Sequence, residues 1–202
     1  VKDVFRNGAP VEPNRPILTD PVVLQALAHP VRLDVLNYLM SEGPATATVC
    51  ARAVGDTPSN CSYHLRVLAR HGLVEAGRSP DGRERPWRTA ITGFETGGSE
   101  LDPAAPEAQG AAAVLAASVA LDQRLLRDYL SNRDRSPAPW RQADQYSTYT
   151  LRITPSELRD IARQLDAIVR PLIAATRRGA PPDARLVHLG FHAFPRSDSP
   201  WD

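Results

Sequence analysis

Apolar residues in the stretch TPSNCSYHLRVLARHGLVE, residues 57–75, recur at Cys61, Leu65 and Leu68. That i, i+4, i+7 spacing is one face of a helix. Thr57 is a favoured N-cap, and Pro58 suits the first helical position, where its missing N–H costs nothing. His71-Gly72 ends the helix. Upstream, DPVVLQAL (20–27) predicts a short helix. Pro30 opens another, in which Leu33, Leu36, Tyr38, Leu39 and Met40 form a broad apolar face stopped by Gly43-Pro44. A third begins near Pro44 or Ala45 and runs through Ala47, Cys50, Ala51 and Val54 to Gly55, a C′ glycine.

After Gly72 the period changes from that of a helix to that of a strand. LVEAGR predicts a strand, SPDGR a tight turn and ERPWRTAI a returning strand. The order is helix, helix, helix, helix, then an arginine-bearing hairpin, as in a winged helix-turn-helix. GFETGGSELDPAAPEAQG (93–110) has the composition of an exposed linker. Residues 111–130, AAAVLAASVALDQRLLRDYL, predict a long helix. STYTLRI (147–153) alternates like a strand. Thr154-Pro155-Ser156-Glu157 is a capping box, with Leu158, Ile161, Leu165, Ile168 and Leu172 on one stripe behind it. Pro171 should end that helix near Ile168. RLVHLGFHAF (185–194) predicts a final strand.

The expected fold is therefore mainly α with small β elements. It comprises an arm at 1–19, a winged helix-turn-helix domain at 20–92, a linker at 93–110 and a C-terminal region at 111–202. The last holds a long helix and a strand-helix-strand unit and is a candidate for dimerisation or effector binding.

Residues Leu24 to Thr89 resemble the ArsR-type winged-helix repressors of bacteria. The resemblance rests on Leu27-Ala28, Pro30, Arg32-Leu33, Ser62, His64-Leu65, Leu68 and Gly72-Leu73-Val74, in that order and at the family's spacing. It covers about a third of the chain and says nothing of the C-terminal half. It implies a homodimeric DNA-binding transcriptional regulator, a repressor, bound to double-stranded DNA at an inverted-repeat operator.

The residues agree with this on chemical grounds. A helix in the major groove, about 12 Å wide, needs groups that reach base edges without long flexible stems. Ser59, Asn60, Ser62, Tyr63 and Arg66 lie off the apolar stripe and near the helix N-terminus, where a recognition helix meets bases. Asn suits adenine and Arg suits guanine. The bland alternative is an ordinary solvated face. His64 is a further candidate contact, although a histidine there more often packs between helices. Arg83 and Arg85, beside Gly82 at the hairpin tip, are placed for phosphates or the minor groove. Arg88, after Trp87, suits a structural role as well as a DNA-facing one.

Charge sharpens this picture only locally. The net charge of the 202 residues is +1. Thr57 to Ala90 nevertheless holds six arginines against three acids, while Asp20 to Asp56 holds two against four. A modest positive field thus lies on the segment with the polar-faced helix.

Other chemistries find less support. Cys50 and Cys61 are too few for a zinc set and read as small buried hydrophobes. Thiolate sensors of the family carry Cys-x-Cys where this chain has Thr46 and Thr48, and hydroxyls are poor soft-metal ligands. The 111–130 helix has no histidine. His188 and His192, four residues apart on a strand, would be about 13 Å from each other, too far to share an ion. No metal and no cofactor are expected. No phosphate loop or nucleophile elbow is present, so no enzyme is expected either. Two alternatives stay open: a small-molecule effector held by the C-terminal half, and a winged helix that binds protein. Leu115, Val119, Leu125, Leu126 and Tyr129, with the helix near 20–28, are the candidate dimer contacts. The first residues lack the apolar core of a signal peptide, and no apolar run is long enough to span a membrane, so a cytoplasmic location is expected.

Overall fold

The computed structural model describes residues 15–78, 85–97, 102–173, 179–196 and 198. The order is β1 (Ile17–Leu18), α1 (Pro21–Leu27), α2 (Pro30–Glu42), α3 (Ala47–Val54), α4 (Pro58–Arg70), β2 (Val74–Ala76), β3 (Trp87–Thr89) and β4 (Glu95–Thr96). Then follow α5 (Pro106–Asn132), α6 (Ala138–Ala143) and α7 (Pro155–Val169), with short 3₁₀ turns after α5 and α7. The protein is mainly helical with small sheets, and its N-terminal part is a winged helix-turn-helix.

The chain divides into two units. One takes residues up to Leu121 with Ile173–Ala184; the other takes Asp122–Leu172 and the residues from Arg185 onward. The first holds the apolar core. Leu24, Leu27, Val35, Leu36, Leu39, Cys50, Cys61, Leu65 and Leu68 are all within 1% of complete burial. Each buried aliphatic side chain contributes about 1.5–3 kcal/mol relative to exposure. The stripe Cys61, Leu65, Leu68 therefore fixes which face of α4 points inward, and by exclusion which points out.

Local chemistry sets the helix ends. Asp20 accepts from the Val22 N–H at 2.8 Å, Thr46 from Val49 at 3.3 Å and Thr57 from Asn60 at 3.2 Å. Each satisfies a backbone donor that the first helical turn leaves unpaired. Gly55 closes α3 in the left-handed region, at φ 70°. Without a Cβ it adopts that conformation at no steric cost.

β2 and β3 pair antiparallel, with Val74 opposite Thr89, Glu75 opposite Arg88 and Ala76 opposite Trp87. Ala45 extends this hairpin on its other side, exchanging two backbone hydrogen bonds with Trp87 at 3.0 and 2.8 Å. The loop before α3 and the hairpin are thereby held together beside α4.

Three expectations are corrected. Ile17–Leu18, expected in the arm, pairs in parallel with Glu95–Thr96, expected in the linker. The α5 helix starts at Pro106 rather than 111, because Pro106 and Glu107 supply the first-turn residues a helix N-terminus favours. Gly110 lies against α1; a Cβ there would stand 2.9 Å from the Leu24 Cβ.

The third correction concerns the second unit. Neither 147–153 nor 185–194 forms a strand. Alternation assigns side chains to two faces, but a ladder also needs a neighbouring strand, and among the described residues none is supplied. The capping box of α7 is present in full: Glu157 accepts from the Thr154 N–H at 2.7 Å, and the Thr154 hydroxyl accepts from the Glu157 N–H at 3.3 Å. The helix ends at Val169, two residues before Pro171, as the proline requires.

Candidate nucleic-acid interface

With its apolar stripe buried, α4 turns Ser59, Asn60, Tyr63 and Arg66 outward, and Ser62 is half-buried beside them. Ser59, Ser62 and Arg66 line a shallow concave surface with Ala47 and Pro58, closed on the wing side by Arg85 and Trp87. Two elements far apart in sequence, the start of α4 and the base of the wing, thus put two arginines and two hydroxyls on one face.

The side chains are partly pre-set by contacts within the helix. Arg66 Nη2 donates to Ser62 Oγ at 3.0 Å, and Asn60 Nδ2 donates to Asp56 Oδ2 at 2.6 Å. The second contact leaves the Asn60 carbonyl as the free end of its amide. Tyr63 is half exposed and meets the His64 ring edge-on, at 5.4 Å between centroids.

His64 is a correction. It is only 4% exposed and faces inward, its ring centroid 4.6 Å from that of His29. It supports α4 from behind and does not belong to the outward face. Arg88 forms a 2.8 Å ion pair with Glu75, its cross-strand neighbour, so its guanidinium is engaged within the wing. Arg83 and the turn residue Gly82 lie outside the described residues.

Cys50 and Cys61 are fully buried, and desolvation pushes both thiols up to about 11. Their thiolates are disfavoured at neutral pH. Thr46 is spent as the cap of α3. Among the described residues no group of three or more His, Cys, Asp or Glu is arranged to hold a metal ion.

Strand spacing would keep His188 and His192 apart, and the structure corrects this. Their Nε2 atoms lie 2.7 Å from Asp122 Oδ1 and Oδ2 respectively, one imidazole on each carboxylate oxygen. Asp122 carries no signal in the sequence that would place it there.

The candidate dimer contacts have mixed surroundings. Leu115 is 58% and Leu126 40% exposed, while Val119 and Leu125 are half-buried. Tyr129 donates its hydroxyl to Asp144 Oδ2 at 2.7 Å, an oxygen that Arg133 Nε also reaches at 2.7 Å. Arg133, and then the tyrosine hydroxyl, hold the Asp144 carboxyl below its ordinary range. Tyr129 therefore ties the end of α5 to the residue following α6.

Residues 27–76 match the helix-turn-helix domain family. A stretch of 59 residues is 49% identical to the HTH-type transcriptional regulator NmtR of Mycobacterium tuberculosis, covering 28% of this chain and 48% of that protein. The match thus spans about half the length of the curated relative. Among solved structures, the chain is similar to a homodimeric winged helix-turn-helix DNA-binding domain of Mycobacterium bovis, a possible ArsR-family transcriptional regulator. That likeness has 28% identity over 52% of this chain and 79% of the other, with a TM-score of 0.32. It is also similar to a transcriptional regulator homologue of Pyrococcus horikoshii, with 25% identity over 50% and 87% and a TM-score of 0.31. Residues 27–76 are thus similar to helix-turn-helix domains of transcriptional regulators.

Proposed function

We propose that the protein is a sequence-specific DNA-binding transcriptional regulator that works as a homodimer and represses by occupying an inverted-repeat operator. The observation that carries this reading is the division of α4. Its apolar stripe is fully buried, while its outward N-terminal face joins Ser59, Ser62 and Arg66 to Arg85 of the wing. In the major groove that face offers short hydroxyl and amide groups and one guanidinium to base edges, and the wing reaches the flanking phosphates. Two such domains on a two-fold axis read two half-sites about one helical turn apart.

Metal ions have no role in this reading. The residues at the family's thiolate positions are Thr46 and Thr48, and the two thiols are buried in the core. Selection of bound fragments from a random duplex pool, followed by gel shifts at two salt concentrations, tests the proposal. A recovered inverted repeat whose retention weakens steeply with salt supports it. Retention of all duplexes alike, or of none, overturns it.

A further inference from the structure

Asp56 stands immediately before the α4 cap and is half-buried. Its Oδ1 accepts from the Thr57 N–H at 2.7 Å and its Oδ2 from Asn60 Nδ2 at 2.6 Å. Its own N–H donates to the Ala51 carbonyl at 2.9 Å, which fixes the backbone that carries the side chain. Among the described residues no basic side chain forms an ion pair with it. The carboxylate is therefore uncompensated beside the helix turn whose outward face gathers Ser59, Ser62 and Arg66 with Arg85. A negative charge there works against phosphate and lowers affinity for every duplex. Its contact with Asn60 shows what it does instead.

An exposed asparagine amide has two orientations of similar energy, a half-turn apart, which exchange its carbonyl and its NH2. A carboxylate only accepts hydrogen bonds, so Asp56 favours one of them, with Nδ2 toward itself and Oδ1 away. The reversed amide would set one oxygen against another. The Thr57 N–H occupies the second carboxylate oxygen, and a backbone donor cannot reverse its role. One hydrogen of Nδ2 goes to Asp56; the other, and the carbonyl, are left for a partner. In the major groove adenine presents an N6 donor beside an N7 acceptor and matches both. Guanine and thymine would meet the fixed carbonyl with an oxygen of their own, O6 or O4.

We infer that Asp56 is a positioning residue for base recognition: it fixes the Asn60 amide so that α4 selects adenine at one base pair. Its charge at the same time lowers affinity for duplex of any sequence. Discrimination of this kind comes from a repulsive element as much as from an attractive one. The inference rests on the proposed DNA-binding function and adds to it the base that one side chain takes.

Duplexes bound by the wild type, Asn60→Ala, Asp56→Ala and Asp56→Asn are selected from a random pool, and each protein is titrated with its motif and a scrambled duplex. The wild type should prefer adenine at one base pair by roughly tenfold or more, and Asn60→Ala should lose that preference. Asp56→Ala should lose it at the same pair, with binding to the scrambled duplex unchanged or tighter. A merely destabilised fold would weaken both. Adding Asn60→Ala to Asp56→Ala should cause no further loss at that pair.

Asp56→Asn has the same shape and carries the test if the alanine variant unfolds. The Thr57 N–H takes its single side-chain oxygen, so its NH2 turns to Asn60 and the Asn60 amide reverses. The preferred base should move from adenine to one that presents an oxygen, guanine or thymine. Adenine selected unchanged by either folded Asp56 variant overturns the inference, as does weaker binding of Asp56→Ala to the scrambled duplex. So does a wild-type motif that Asn60→Ala leaves intact. These three results leave the DNA-binding reading standing, whereas a wild type that selects no motif overturns both.

Discussion

His29 and His64 lie ring against ring, 4.6 Å between centroids, at the junction of the α2 N-terminus with α4. The Nδ1 atoms of both are buried without a hydrogen-bond partner among the described residues. Desolvation, foremost, and the nearby Arg32 charge lower the pKa of each ring below 6.5, against a smaller opposing effect of Asp56; His29 also acts on His64. Burial thus favours the neutral form of both rings in the folded domain.

A pH dependence follows with a definite sign. Above 6.5 the rings are neutral whether the chain is folded or not. As pH falls through that value the unfolded chain takes up protons first, so stability is lost. The melting temperature should therefore drop between about pH 7.5 and 5.5, and His64→Leu should flatten the drop by removing the more buried of the two rings. Scanning calorimetry across that range checks it; a slope unchanged in the variant would show that other groups dominate.

The close approach of α1 and α5 predicts a cost for a single methyl group. Gly110→Ala places a Cβ within 2.9 Å of the Leu24 side chain. Overpacking of this kind costs about 1–3 kcal/mol, and the better helix propensity of alanine returns up to about 1 kcal/mol. Urea unfolding should show a net loss. A gain in stability would mean that the helices move apart freely.

The wing should act through charge. Replacing Arg83 and Arg85 with alanine should weaken binding to all duplexes alike and reduce the salt slope by roughly one to two units. Titrations at three salt concentrations read this directly, and an unchanged slope in the folded variant would remove the wing from the interface.

Base reading should behave differently. Asn60→Ala or Tyr63→Ala should relax preference at particular base pairs, by about 1–3 kcal/mol where a contact is lost. Motifs selected by each variant should differ from the parent's at those positions. Identical motifs would assign these residues to the solvent.

The helices α1 to α4 are legible in the sequence because each carries its own boundary signals, whereas the start of α5 at Pro106 is hidden in a stretch with the composition of a linker. Thr57-Pro58 and the Cys61, Leu65, Leu68 stripe place α4 and its outward face without any knowledge of its neighbours. The pairing of Ile17–Leu18 with Glu95–Thr96 is not legible, since two-residue strands have no periodicity and their partner lies over 70 residues away. His64 can be read as outward or inward from spacing alone; burial against His29 decides it. The C-terminal segments alternate as strands do, but alternation names faces and not partners. For the same reason nothing in the sequence links Asp122 to His188 and His192.

Fluorescence anisotropy of the full chain on the selected inverted repeat, on one half-site and on a scrambled duplex, at two salt concentrations, tests the central claim most directly. The account predicts the tightest binding to the inverted repeat, far weaker binding to the half-site and weaker still to the scrambled duplex, with a steep fall as salt rises. Equal affinity for all three duplexes, or affinity insensitive to salt, would contradict it.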